Sequence, residues 1–336
     1  MRLIPEEAVN FGLTGQLHAQ TLEVVTEGVG VEAGSVQDFA GVGADLTVVN
    51  LEGNLCGEPY GTKTTSAPIE LAHALRSAGV DLVQLANSYA INQGISGLQT
   101  TIAGVKEAGM EPLGVYGDAR AYKAGKGYTI REVEGIKIAF VAFTKGMDGM
   151  TLPQGSEGSV DLLYTDYDKM YQDVDEASIR TLMTQVNSYN PDITVAMLHW
   201  GSKLNDTISK SQEQIISLLQ SSGVDAIVGT HPHYVQEIDF DKNTGTMVAY
   251  SLGDFYGDAD KAGTDYSVLL DLTITKDGAT GKTAITGFDY TPIYIATSEN
   301  DGVPRMQVLR IEHAMSHFEE NGIGKVSQET YNAMKS

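Results

Sequence analysis

The chain has 336 residues, 42% of them hydrophobic, and carries 22 basic against 44 acidic side chains for a formal net charge of −22. So acidic a surface argues against nucleic acid, whose backbone demands basic side chains, and against docking to anionic lipid. One cysteine, Cys56, rules out an intrachain disulfide, and no apolar run approaches the roughly 18 residues of a membrane span. The opening MRLIPEEAVNFG has no signal-peptide apolar core, so the protein is expected to be cytosolic or to begin after a removed leader.

In chain order, Val9 to Thr14 reads as a first strand ending at Gly15-Gln16-Leu17-His18. Thr21 to Val42 is ambiguous, because Gly28, Gly30 and Gly34 interrupt any long helix. Asp45 to Leu51 is a strand with Glu52 at its end; Ile69 to Ala78 is a helix closing at Gly79; Asp81 to Ala86 is a strand running into Asn87-Ser88-Tyr89. Gly97 to Ala108 is a helix with Gly109 as its C-terminal cap, followed by a short strand at Pro112 to Tyr116. Tyr128 to Val133 and Lys137 to Phe143 pair around Glu134-Gly135.

Gly146 to Asp166 has no clear period and is expected to be a long loop. Then come a helix at Tyr171 to Tyr189, a strand at Asp192 to Leu198, a helix at Ser211 to Ser221 closing at Gly223, and strands at Asp225 to Gly229 and Met247 to Leu252. Tyr266 to Thr275 and Thr283 to Tyr290 alternate as antiparallel strands around a turn at Lys276 to Gly281. The tail from Val308 mixes helix-like pieces with Gly322 and Gly324. Alternating strands and helices followed by a β-rich end predict an α/β domain over residues 1–300, with 301–336 as a partly helical extension packed on it.

The chemistry gathers at strand ends. Four of seven histidines, His18, His199, His231 and His233, fall there, the remaining three being His73, His313 and His317. Ligands of open α/β sheets collect outside the carboxyl ends of strands, so three apolar runs deliver His199, the His231-Pro232-His233 pair and Asp254 to one edge. An extended His-Pro-His would set both imidazoles on one side. Imidazoles joined by a carboxylate suit a divalent transition metal, and Glu52 can be a ligand or general base. The bland alternatives are hydrogen-bonded core histidines, a solvent-facing strand end at Glu52, a turn residue at Asp254, a packing role for Trp200 and a buried aromatic at Tyr89. Neither GxxxxGK[ST], GxGxxG nor GxSxG occurs, so no nucleotide loop or nucleophile elbow is supported.

From Val9 to about Tyr294 the order of motifs resembles the bacterial capsule synthesis protein CapA family, also called the poly-γ-glutamate capsule (PgsA-like) family, whose fold is similar to calcineurin-like metallophosphatases. The residues carrying it are Asn50-Leu51-Glu52, Ala86-Asn87-Ser88-Tyr89, His199-Trp200-Gly201, Gly229-Thr230-His231-Pro232-His233 and Tyr250-Ser251-Leu252-Gly253-Asp254-Phe255. The resemblance implies a layered αββα sandwich with mixed sheets. It also implies a metal set of Glu52, His199, His231 and His233, with His18, Gln16, Asn87, Ser88, Tyr89 and Asp254 as additional or supporting positions. Departures are marked. Gln16 stands where the family has Asp, Ser88 and Tyr89 where it has Asn and His, Asn92 where it has Asp, and Lys203 where it has Glu.

The retained set of three histidines and a glutamate is expected to suit one cation, zinc or manganese, rather than a two-metal clamp. The expectation is an extracellular accessory protein of capsule or anionic-polymer synthesis, anchored through a leader, on an eroded site. Its partners are the polymer or its machinery. The alternatives are a one-metal phosphoesterase, with His199 and Glu52 catalytic and Lys203 clamping the anion, and a binding module without metal.

Overall fold

Strands that are apolar at every position need cover on both faces, and that requirement sets the layering. The computed structural model describes residues 7–18, 44–61, 64–118, 127–257, 261–300, 303–312, 314–316 and 328–335, with the first strand described as backbone alone. The segment Thr21 to Val42, the tail glycines Gly322 and Gly324, and His313 and His317 lie outside the described residues.

One sheet contains β1 (Glu7–His18), β2 (Leu46–Glu52), β3 (Leu82–Gln84), β4 (Glu111–Leu113), β11 (Asp254–Tyr256), β12 (Tyr266–Lys276), β13 (Thr283–Asn300) and β14 (Val303–Arg310). Its order is β14-β13-β12-β1-β2-β3-β4, with β11 beside the far end of β1. The other contains β5 (Thr129–Val133), β6 (Ile136–Thr144), β7 (Ile193–His199), β8 (Ala226–Thr230), β9 (Ile238–Asp241) and β10 (Thr246–Ala249), in the order β5-β6-β7-β8-β10-β9.

Alternate residues of each strand enter different cores. Val48 and Leu82 of the first sheet meet Phe140, Val195, Met197 and Val228 of the second between the sheets. Val49, Leu51, Val83 and Leu85 face outward onto α1 (Glu70–Ser77) and α2 (Gly94–Glu107) through Leu71, Leu75, Leu98 and Val105. Val141, Ala196, Leu198 and Ile227 face outward onto α3 (Glu176–Asn187) and α4 (Lys210–Ser221) through Ile179, Met183, Ile215 and Leu219. The architecture is the expected αββα sandwich of parallel and antiparallel strands. A last helix, α5 (Gln328–Lys335), reaches the first sheet, where Tyr266 Oη donates to Ala333 O and Met334 joins Tyr294 and Leu309.

Aspartates at strand starts set the register of three parallel neighbours. The carboxylates of Asp81, Asp192 and Asp225 accept the backbone N–H of Thr47 at 3.0 Å, Lys137 at 2.8 Å and Thr194 at 2.8 Å. Each therefore satisfies a backbone donor at the strand edge opposite the polar ends. The Glu134-Gly135 turn forms as expected, with φ of +47° and +75°, the two left-handed residues of the tightest hairpin connection.

Several boundaries differ from the sequence reading. The helix expected from Tyr171 begins at Glu176, because Tyr171 has φ +54°, Val174 bridges to Tyr164, and Asp175 caps the helix by accepting Ser178 N–H at 3.1 Å. The strand expected to run to Leu252 stops at Ala249. The chain then crosses from one sheet to the other, with Leu252 N–H on Gly229 O and Val268 N–H on Leu252 O, and enters β11 at Asp254. Edge strands β9 and β14 were not anticipated.

The long segment after β6 is packed rather than free of contacts. It bridges Thr144 to Leu162 and Val115 to Val160, and buries Met147, Val160 and Leu163. Asp161 is buried within it, accepting Tyr116 Oη at 3.1 Å. Burial pushes its carboxyl well above the usual carboxylate range, while the Tyr116 bond pulls the other way. The folded state therefore holds this proton to higher pH than the unfolded chain does, and stability is lost as pH rises through the folded value. Asp161→Asn should raise the melting temperature at pH 8, gaining about 1–3 kcal/mol, with the gain shrinking towards pH 4. A variant equally destabilised at both pH values refutes this account.

Candidate metal centre

The carboxyl ends of β2, β3, β7 and β8 meet at one edge of the sandwich, where the inter-sheet core stops. From the first sheet come Glu52, the last residue of β2, and Ser88, four residues beyond β3. From the second come His199, the last residue of β7, and His231, the first residue beyond β8. Ligand atoms of Glu52, His199 and His231 all lie within 4.8 Å of one another, and all three residues are buried. His199 Nε2 stands 3.5 Å from Glu52 Oε1 and 3.0 Å from His231 Nδ1. Ser88 Oγ is 2.9 Å from the same His199 nitrogen and 3.4 Å from His231 Nδ1.

The hydrogen-bond pattern sets the tautomer of His199. Thr230 Oγ1 donates to Leu198 O at 3.4 Å and so accepts from His199 Nδ1 at 3.2 Å. That leaves the Nε2 lone pair facing Glu52, the state in which imidazole binds metal. A carboxylate oxygen and an imidazole nitrogen 3.5 Å apart, with Glu52 and His199 only 2% and 0% exposed, are drawn together by a cation held between them. Donors about 2.0–2.2 Å from one ion stand roughly 3.0–3.5 Å apart. The donor set therefore fits a divalent cation, held by Glu52, His199 and His231.

His233 is not in that group of three. Its Nδ1 lies 2.9 and 3.1 Å from the two oxygens of Asp254, which is wholly buried. Asp254 thus orients a histidine, one of the two readings open for it in the sequence. The cause of the divergence is local. His231 and His233 have φ of +100° and +67°, so His-Pro-His is not the extended segment expected, and its imidazoles take different partners. Left-handed non-glycine residues cost about 1–3 kcal/mol each and persist where surroundings hold them. Here His199 and Asp254 hold the two rings.

The remaining positions fall into place around this centre. Asn87 is buried and donates to Leu51 O at 2.7 Å and Asn50 Oδ1 at 3.2 Å, tying the loop after β3 to the end of β2. Tyr89 is half-buried, and its N–H donates to Asn87 Oδ1 at 3.1 Å. Gln16 and His18 occupy register positions beside Asn50 and Glu52, and Gln16 also pairs with Asp254. One extra residue in β1 between Leu13 and Gln16, where Gly15 lies, produces that alignment. Lys203 is exposed on the turn whose next residue, Leu204, donates its N–H to Pro232 O at 3.0 Å.

Trp200 has the packing role foreseen for it, fully buried, stacked on Tyr250 and donating to Tyr250 O at 2.9 Å. A residue that sequence reasoning missed is Lys145, whose N–H donates to His199 O at 2.8 Å and whose Nζ donates to Gly201 O at 2.6 Å and lies 4.4 Å from the Tyr171 ring centre. Burial pushes its ammonium below the ordinary lysine value. Nothing in its local sequence marks it except its place after a strand.

Residues 34–259 match the family described as bacterial capsule synthesis protein PGA_cap. The chain belongs to that family. Among similar proteins, the capsule biosynthesis protein CapA of Bacillus anthracis is 28% identical over 214 residues, covering 63% of this chain and 49% of the relative. The PGA biosynthesis protein CapA of Bacillus subtilis (strain 168) is 26% identical over 243 residues, covering 72% of this chain and 59% of the relative. The chain thus spans 49% and 59% of the length of these two relatives. Its fold is similar to the calcineurin-like phosphoesterase YfkN of Bacillus subtilis, with a TM-score of 0.50 at 14% identity, covering 99% of this chain and 100% of that one. The likeness establishes a metallophosphatase-like scaffold for this PGA_cap member.

Proposed function

We propose that the chain is a cell-surface accessory protein of capsule or poly-γ-glutamate assembly, whose site holds one divalent cation and engages the anionic polymer. The observation that carries this reading is the convergence of Glu52, His199 and His231 at the strand-end edge of a PGA_cap member. A divalent cation facing the single carboxylate of Glu52 leaves a local charge of about +1. That supplies the attraction for a polymer carboxylate which a chain of net charge −22 otherwise lacks. Zinc or manganese matches two imidazoles and a carboxylate. The substitutions Gln16, Tyr89 and Asn92 replace donors that a second cation needs, which supports a site that binds rather than hydrolyses.

The experiment combines elemental analysis of tag-free protein with binding to poly-γ-glutamate, with manganese or zinc and after chelation. One equivalent of cation, and polymer binding that disappears with chelator, are expected. Polymer binding unaffected by chelation overturns the role of the cation. The scaffold shared with calcineurin-like phosphoesterases favours a second reading, a metal-dependent phosphoesterase. Turnover of p-nitrophenyl phosphate or its bis-ester with manganese, lost in the double substitution His231→Ala and His233→Ala, selects it over the first.

A further inference from the structure

The geometry points to Ser88 as a fourth direct donor of this centre, a neutral oxygen ligand standing where the resembling family carries Asn. The inference rests on the cation reading above and deepens it, because it assigns as a direct ligand a hydroxyl that the sequence places only among the additional or supporting positions. Four donor–donor distances carry it. Ser88 Oγ is 2.9 Å from His199 Nε2 and 3.4 Å from His231 Nδ1, and the remaining two, from His199 Nε2 to His231 Nδ1 and to Glu52 Oε1, are 3.0 and 3.5 Å. All four fall within or close to the spacing of roughly 3.0–3.5 Å expected around one ion.

The position of Ser88 is also enforced from behind. Asn87 ties the loop to β2 through Leu51 O, and its Oδ1 accepts Tyr89 N–H, closing a turn of which Ser88 is the middle residue. A short hydroxyl on so constrained a backbone is delivered between His199 and His231 with little conformational freedom left to lose. Ser88 is buried at 7% exposure, so its hydroxyl has protein partners rather than bulk solvent as its surroundings. Two nitrogens, one carboxylate oxygen and one neutral oxygen then leave the bound cation with a single compensating charge.

The test uses the full chain with cobalt(II) as the probe, together with manganese and zinc. Ser88→Cys places a thiolate at the donor position, and a thiolate bound directly to cobalt gives an intense charge-transfer absorption. The protein as it stands gives none, because its one cysteine, Cys56, donates to Gly97 O on α2 and is not among the clustered ligand atoms. Ser88→Ala is expected to lower manganese and zinc affinity about tenfold or more, and thermal unfolding of the chelated variants checks that both fold. If the unaltered protein binds cation but Ser88→Cys shows no charge-transfer band and Ser88→Ala keeps full affinity, Ser88 is not a ligand and the cation reading stands. If the unaltered protein binds no cation, the reading and this inference fall together.

Discussion

Glu52→Gln should weaken divalent-cation binding by about 100-fold or more, beyond the 10–100-fold carried by groups that only support ligands. The substitution keeps size and shape at a position 2% exposed and removes one charge. That charge is the only carboxylate among the three clustered ligand atoms, so nothing nearby replaces it. The effect on stability should change sign with metal. In the loaded protein, cation at 100 times its dissociation constant stabilises by about 2.7 kcal/mol, and the variant loses most of that gain. In the chelated protein the same change removes a charge at a position 2% exposed, and the melting temperature should hold or rise. Titration calorimetry with manganese or zinc, with melting curves in cation and in chelator, measures both halves. Unchanged affinity would show that Glu52 lies beside the ion rather than on it.

Much of this centre was visible in the order of residues, and the reason is topological. Runs such as DITVAMLH and DAIVGTH are apolar on both faces, so they read as central strands, and the first polar residue after each lands at the edge where ligands collect. Glu52, His199 and His231 followed from that rule. The aspartates that open these runs were legible as letters but not as chemistry, since their role is to accept a backbone N–H from the neighbouring strand.

Three features lay beyond the pattern. His231 and His233 were placed together by the alternation of an extended chain, and alternation lapses where φ turns positive at both. Ser88 stood in the sequence only as a departure from the family pattern and a supporting position, whereas its distance to two imidazoles is a tertiary fact joining residues 111 and 143 positions apart. Edge strand β9 reads IDFD and β14 carries Pro304 and two arginines, so neither has the apolar run that marks an interior strand.

Gly229→Ala should unfold or severely destabilise the protein, by about 3 kcal/mol or more, the scale of the larger core disruptions. An added Cβ would lie 2.0 Å from Tyr250 O and 2.3 Å from Trp200 Nε1. Those two atoms are themselves hydrogen-bonded at 2.9 Å, so the methyl group enters a space that a structural bond already fills. Neither can step aside: Trp200 is wholly buried and stacked on Tyr250, and Tyr250 N–H is fixed on Glu237 O beside β9. Shrinking the indole in a second substitution, Trp200→Phe, should not rescue Gly229→Ala, because the nearer clash is with backbone. The damage reaches the metal centre directly, since Gly229 is followed by Thr230, which orients His199, and by His231. Chemical denaturation of the single and double variants, with cation affinity measured on whatever remains folded, checks the prediction. A Gly229→Ala protein as stable as the parent would mean that β8 and the Tyr250 segment are not packed as closely as these distances require.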